Sequence, residues 1–272
     1  PNGAGKSTTV GMLTTGVVPT AGRAWVNEID VADRPAEARR HLGVVPQRNT
    51  LDRSLTVREN LVFHGRFFGM RRAEARREAD RRLDQVSLGE VAAKPVDGLS
   101  GGMAQRLMIA RAIMHEPAVL FLDEPTTGLD PQSRLALHEI VRDLRAAGQT
   151  IVLITHDMRE ADLLADRVAI IDHGHLLALD TPEQLKRSVD ADTMVAVTAE
   201  CPPEELAVLL RAKVPGVRDV HVLDGSVLLA VRGNPEVFAS ITGTGIALRD
   251  VRVEEPSLET VYIGLTGKEL RD

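Results

Sequence analysis

Pro1-Asn2-Gly3-Ala4-Gly5-Lys6-Ser7 fits the spacing G-x-x-x-x-G-K-[ST] in all but its first glycine, a spacing suited to holding phosphate. The glycines let the backbone of Asn2, Gly3, Ala4 and Gly5 wrap phosphate oxygens, with Thr8 following in the next helical turn. The Lys6 ammonium would neutralise β- and γ-phosphate charge, and the Ser7 hydroxyl would ligate Mg²⁺. The absent glycine is expected immediately before Pro1, so the chain reads as a fragment without the strand that feeds such a loop. On that reading residues 1–272 alone are expected to fold poorly, and the residues from about 190 onward to fold separately.

A phosphate held with a metal needs acids and proton acceptors nearby. Asp123-Glu124 follows the continuous apolar run 118–122, which places two carboxylates at the end of a buried strand. Asp123 is the metal-holding acid, and Glu124 the group that takes a proton from an attacking water. His156 follows the next apolar run, 150–154, where its ring could bridge a γ-phosphate to Glu124. Gln47 follows a shorter run, 43–45, and can offer its amide oxygen to Mg²⁺ while orienting water. Leu99-Ser100-Gly101-Gly102 opens a predicted helix over 101–114, whose free N–H groups and positive dipole end suit a phosphate. The chain already has one phosphate loop, so this second anion site is expected to serve a nucleotide held by another subunit.

The elements that must position these groups alternate between strand and helix. Helices over 5–15 and 131–147 alternate with the apolar strands to give a doubly wound α/β sheet with ligands at the strand ends. Residues 56–86 have a helical pattern that Thr56-Val57-Arg58-Glu59 opens as a capping box. The arginine-dense stretch 71–82 reads as a solvated face, because Glu74, Glu78, Asp80 and Asp84 interleave with it. A helical subdomain over about 50–115 follows. A hairpin is expected over 167–179 and a helix over 182–188. Beyond about 190 the pattern strand, helix, strand, strand, helix, strand is that of a small α+β, ferredoxin-like split unit, completed by a terminal helix over 257–265. Two domains result, 1–188 and 189–272. Trp25 reads as a packing residue.

Composition narrows the classes. With 43 % hydrophobic residues the chain is globular, and no apolar run nears the roughly 20 residues of a membrane-spanning helix. A net charge of -6 argues against nucleic acid as a partner. The single Cys201 cannot form an intrachain disulfide and reads as an inert thiol in a reducing cytoplasm.

Residues 1–7, Gln47, Leu99 to Gly102, Asp123-Glu124, Gly128-Leu129-Asp130 and His156 together resemble the Walker A, Q-loop, signature, Walker B, D-loop and H-loop of ATP-binding-cassette (ABC) ATPases. The resemblance covers residues 1–188 and implies a P-loop NTPase fold with ATP and Mg²⁺ as ligands. It further implies a head-to-tail homodimer sandwiching two ATPs, in which Ser100 and Gly102 of one subunit meet the γ-phosphate bound by Lys6 of the other. Gly101 lies between them and Asp130 at the same interface. Met103 departs from the commoner glutamine of the signature. With the run Glu255-Pro256-Ser257-Leu258-Glu259-Thr260-Val261-Tyr262, this variant is similar to ATPases of ABC-2 exporters of the daunorubicin-resistance type. That implies a separately encoded transmembrane permease, a place on the cytoplasmic face of the membrane, and a cargo chosen by the permease. A soluble ABC-type ATPase acting on DNA or ribosomes is the alternative, but neither a long coiled coil nor a second cassette is present. A cassette that binds ATP without turnover is disfavoured by the intact Glu124 and His156.

Overall fold

A computed structural model describes residues 3–189, 193–223, 225–232, 234 and 236–266. Expectations placed on Pro1, Asn2, Asp190, Asp224 and Pro235 lie outside the described residues. The chain divides into two compact units, residues 5–156 and residues 157–272 together with 1–4.

In the first unit, α1 (Lys6–Leu13) is followed by a short antiparallel pair, β1 (Trp25–Val26) and β2 (Ile29–Asp30), and by α2 (Pro35–Ala38). Trp25 is 57 % exposed, against expectation, because the alternation of a two-residue strand turns Val26 inward instead. Three parallel strands, β3 (Leu42–Val45), β4 (Val119–Asp123) and β5 (Thr150–Ile154), form a sheet with β4 in the centre. Leu120, Phe121 and Leu122 are all buried without alternation, as befits a parallel strand covered on both faces. Val10 and Leu13 of α1 pack against the buried cluster that contains Phe121 and Ile154, which sets the helix that follows the phosphate loop on the sheet.

The helical pattern over 56–86 resolves into α3 (Val57–Phe67) and α4 (Arg72–Gln85), separated at Phe68 to Arg71. The Thr56 capping box forms, with Thr56 N–H donating to Glu59 Oε2 at 2.9 Å. The arginine stretch is solvated as expected at Arg71, Arg72, Arg76, Arg77 and Arg81, and departs from that reading on its inner face. Ala75, Ala79, Leu83 and also Arg82 are buried, and Arg82 Nε lies 2.6 Å from Glu78 Oε1. Arg82 also approaches Glu116, a partner 34 residues away that no local pattern predicts. α5 (Gly101–Ala112) turns Leu107, Met108 and Ile109 into the core, and α6 (Pro131–Ala146) completes the unit.

In the second unit α7 (Met158–Leu164) starts directly after His156, capped by Asp157, and no sequence expectation named it. The hairpin is β6 (Val168–Asp172) with β7 (His175–Asp180), followed by α8 (Pro182–Arg187). Further along come β8 (Thr193–Ala199), α9 (Pro203–Lys213), β9 (Val217–Leu223), β10 (Ser226–Val231), α10 (Val237–Thr242) and β11 (Leu248–Glu254). Their sheet runs β11-β8-β10-β9 with every neighbouring pair antiparallel, the strand order of a ferredoxin-like split unit. Val195, Val197, Val227 and Leu229 of the sheet pack with Leu206, Leu210 and Ile241 of the helices. The terminal helix, α11 (Leu258–Thr266), does not complete this layer as expected. Its Leu258, Val261 and Tyr262 are buried with Ala161, Val168, Ile170 and Leu185, so it belongs to the α7, hairpin and α8 cluster.

Candidate active site

Gly3 and Gly5 have φ of 79° and 97°, left-handed values that favour glycine and turn the backbone sharply into α1. Gly5 is the N-cap of α1, which has no side-chain cap and no acidic residue in its first turn. Such a helix end suits an anion. Ala4 is buried, and its carbonyl accepts the Gly174 N–H at 2.8 Å. Lys6 begins the helix, and Ser7 and Thr8 are exposed in its first turn.

Because β3, β4 and β5 run parallel, the residues that follow them emerge at one edge of the sheet. Gln47, Glu124 and His156 are those residues, and they converge. Gln47 Nε2 donates to Glu124 Oε2 at 3.0 Å, and His156 Nδ1 lies 3.3 Å from Glu124 Oε1. Thr127 Oγ1 donates to the same Oε2 at 3.3 Å. Glu124 adopts φ 47°, and its N–H donates to the Ile154 carbonyl at 2.8 Å, which turns its side chain off the strand line. The Glu124 side chain is 12 % exposed and that of His156 43 %, so the carboxylate is sheltered while the ring faces outward. Asp123 lies beside them, its carboxyl pushed up by burial and by the Glu124 charge against the opposing pull of Lys6.

The donor set fits Mg²⁺. A Ser7 hydroxyl, an Asp123 carboxylate and the Gln47 amide oxygen, left over when its nitrogen is used on Glu124, are hard oxygen ligands. Among the described residues no group of three or more His, Cys, Asp or Glu could hold a metal alone. A cation here would therefore depend on phosphate oxygens and water, the usual habit of Mg²⁺. Thr127 was not singled out from the sequence. Its signal was its position three residues after Glu124 in a turn, where Thr127 N–H donates back to the Glu124 carbonyl at 3.3 Å.

Ser100, Gly101, Gly102 and Asp130 form a second grouping. Ser100 is the N-cap of α5, its Oγ accepting the Met103 N–H at 3.2 Å. Asp130 caps α6, accepting from Ser133 N–H at 2.9 Å and Ser133 Oγ at 2.6 Å, bonds that hold its carboxyl below the usual range. Gly102 packs directly on Ser133: a β-carbon added there would lie 2.6 Å from Ser133 Cβ. Ser133 thus joins the two helix starts.

A family model described as ABC transporter matches residues 1–127. The chain is 37 % identical over 279 residues to the linearmycin resistance ATP-binding protein LnrL of Bacillus subtilis (strain 168), covering 100 % of the chain and 89 % of that protein. It is 40 % identical to the daunorubicin resistance ATP-binding protein DrrA2 of Streptomyces coeruleorubidus, with 98 % and 84 % covered. It is 41 % identical to the Nod factor export ATP-binding protein I of Rhizobium sp. (strain N33), with 99 % and 87 % covered. Among solved structures, a dimeric post-hydrolysis state of the ATP-binding cassette MJ0796 bound to ADP and Pi superposes with a TM-score of 0.60 at 29 % identity, covering 66 % of this chain and 82 % of that one. The ATP-binding subunit of an ABC transporter superposes with a TM-score of 0.62 at 32 % identity, covering 69 % and 78 %.

Proposed function

The chain belongs to the ABC transporter family, as an ATP-binding and ATP-hydrolysing subunit of an exporter, and from that premise we propose how its residues divide the work and what they drive. The observation that carries the reading is the convergence of Gln47, Thr127 and His156 on the Glu124 carboxylate, beside Asp123 and Lys6.

The loop Gly3 to Thr8 takes the phosphates of ATP, with Asn2 preceding it, and Lys6 neutralises their charge. Bound Mg²⁺ would supply charge neutralisation at the β- and γ-phosphates, and Ser7, Asp123 and Gln47 would hold it. Glu124 accepts a proton from the water that attacks the γ-phosphorus. The new P–O bond forms as the bond to the bridging β-phosphate oxygen breaks, giving ADP and phosphate. Gln47 and Thr127 hold Oε2 of that carboxylate, and His156 engages Oε1 through Nδ1, which leaves Nε2 for the γ-phosphate. Ser100, Gly101 and Gly102 face the nucleotide of a second copy in a head-to-tail homodimer, with Asp130 at that interface.

The dimeric cassette among the structural neighbours supports this arrangement, as do the resistance and export proteins among the relatives. Among the described residues no helix is long and apolar enough to cross a membrane. In keeping with the resistance and export ATP-binding proteins among the relatives, the membrane work is assigned to a separately encoded, ABC-2-type permease, with the ATPase on the cytoplasmic face and residues 189–272 as an accessory domain. The test is Glu124→Gln in the full chain. Hydrolysis should fall by about 10² or more, the scale of a lost general base, while ATP binding persists and holds the dimer together. Hydrolysis at the wild-type rate would remove Glu124 from the base role.

A further inference from the structure

The segment between Gln47 and α3 is tied to the helices. Arg111, at the opposite end of α5 from Ser100, donates Nη1 to the Thr50 carbonyl at 2.7 Å and Nη2 to the Thr50 hydroxyl at 2.5 Å. Two residues on, Asn60 of α3 accepts the Asp52 N–H at 2.9 Å and donates to the carbonyls of Asp52 and Thr56 at 3.0 and 3.1 Å. Asn60 is buried, and Asn49 and Asp52 close local turns onto Leu51 and Ser54. On the sheet side, Val45 is fixed by its pairing with Leu122. Gln47 therefore stands on a short span between a residue held by the sheet and one held by α5.

We propose that Arg111 is a positioning residue for ATP hydrolysis, gripping Thr50 so that Gln47 meets the Glu124 carboxylate. The proposal rests on the roles assigned above to Gln47 and Glu124. A guanidinium that donates from two nitrogens to two acceptors of one residue fixes direction as well as distance, which a single ammonium does not. Partial burial lowers the Arg111 guanidinium from its usual value, while the Thr50 end of the contact is exposed, so the grip rests on its two-point geometry. The same helix carries Ser100 about 16 Å away along its axis. One rigid element thus holds both the end that faces a second nucleotide and the grip that places Gln47.

Steady-state MgATP hydrolysis and ATP affinity, measured for the full chain and for Arg111→Lys, Thr50→Val, Gln47→Ala and the double variants, test this. Arg111→Lys should lower kcat by about 10- to 100-fold with KM and ATP affinity within about twofold of wild type. Thr50→Val, which removes only the hydroxyl acceptor, should lower kcat in the same direction by less. In the Gln47→Ala background, Arg111→Lys should cost nothing more, because the grip acts through Gln47. An unchanged kcat in Arg111→Lys, or losses that multiply in the double variant, would overturn the proposal. If Arg111→Lys does not fold, the cycle of Thr50→Val with Gln47→Ala decides in the same way. A wild-type chain without hydrolysis, or Gln47→Ala without loss, would refute the site reading itself, a result separable from the others.

Discussion

Adjacent carboxylates at the end of β4 meet different surroundings, and their chemistry diverges accordingly. Glu124 is sheltered and held at both oxygens, a geometry suited to accepting a proton in one direction. Asp123 is pushed up by burial and by its neighbour's charge, so in the folded protein it holds its proton more tightly than in the unfolded chain. The sign follows: ionised Asp123 costs stability above its raised native value, and that cost disappears as pH falls to the ordinary carboxylate range. Asp123→Asn should therefore be more resistant to urea than wild type at pH 8, with the difference narrowing as the pH is lowered, while MgATP hydrolysis is lost. Urea midpoints across pH would check this, and a variant less stable than wild type at every pH would contradict it. Both acids were legible in the sequence because a buried strand ending in two carboxylates beside a phosphate loop leaves few other assignments. Thr127 offered only its spacing of three residues from Glu124, and its hydroxyl finds the carboxylate once Glu124 folds back with φ 47°.

At the scale of elements, Gly102 at the α5 start serves packing beside the nucleotide role proposed for it. Gly102 lies against Ser133, whose hydroxyl is bonded to Asp130, so a methyl group at position 102 pushes on the cap of α6. Gly102→Ala should cost about 1–3 kcal/mol as an overpacked contact. Adding Ser133→Gly should restore most of that stability in thermal melts, whereas hydrolysis should stay impaired if Gly102 also serves a partner's nucleotide. Failure of the second change to restore stability would place the strain elsewhere. Strands, caps and the ferredoxin-like order were readable here because each rests on local patterns: apolar runs, turn residues between them, and Thr56 with Glu59. What escaped reading depends on distant partners. Arg82 is buried because Glu78 and Glu116 meet it, and α11 packs with α7 and α8 although its apolar face would suit either layer. α7 itself had a local signal in Asp157, whose carboxylate accepts the N–H groups of Arg159 and Glu160.

For the whole molecule, the placement of the two groupings determines what a single subunit can do. Gln47, Glu124 and His156 meet at one edge of the parallel sheet, with Lys6 acting electrostatically on the adjacent Asp123, while Ser100 and Asp130 are fixed at the starts of α5 and α6. If the second grouping serves another copy, each active site is a composite of two chains related by a two-fold axis. Lys6→Ala and Ser100→Arg should then each abolish hydrolysis alone, and Ser100→Arg should leave the ATP affinity of the isolated subunit nearly unchanged. Mixing the two should bring activity back. In a mixed dimer both lesions fall on one composite site, the alanine from one chain facing the arginine from the other, and the second site is intact. At equal amounts about half of the dimers are mixed and half of their sites are whole, so recovery should approach about a quarter of the wild-type rate if each site turns over independently. Titrating one variant against the other while following phosphate release gives the answer. A curve that stays at zero at every ratio would mean either that Ser100 serves its own subunit's nucleotide or that both sites must fire together, and the ATP affinity of Ser100→Arg separates the two, since only the first lowers it.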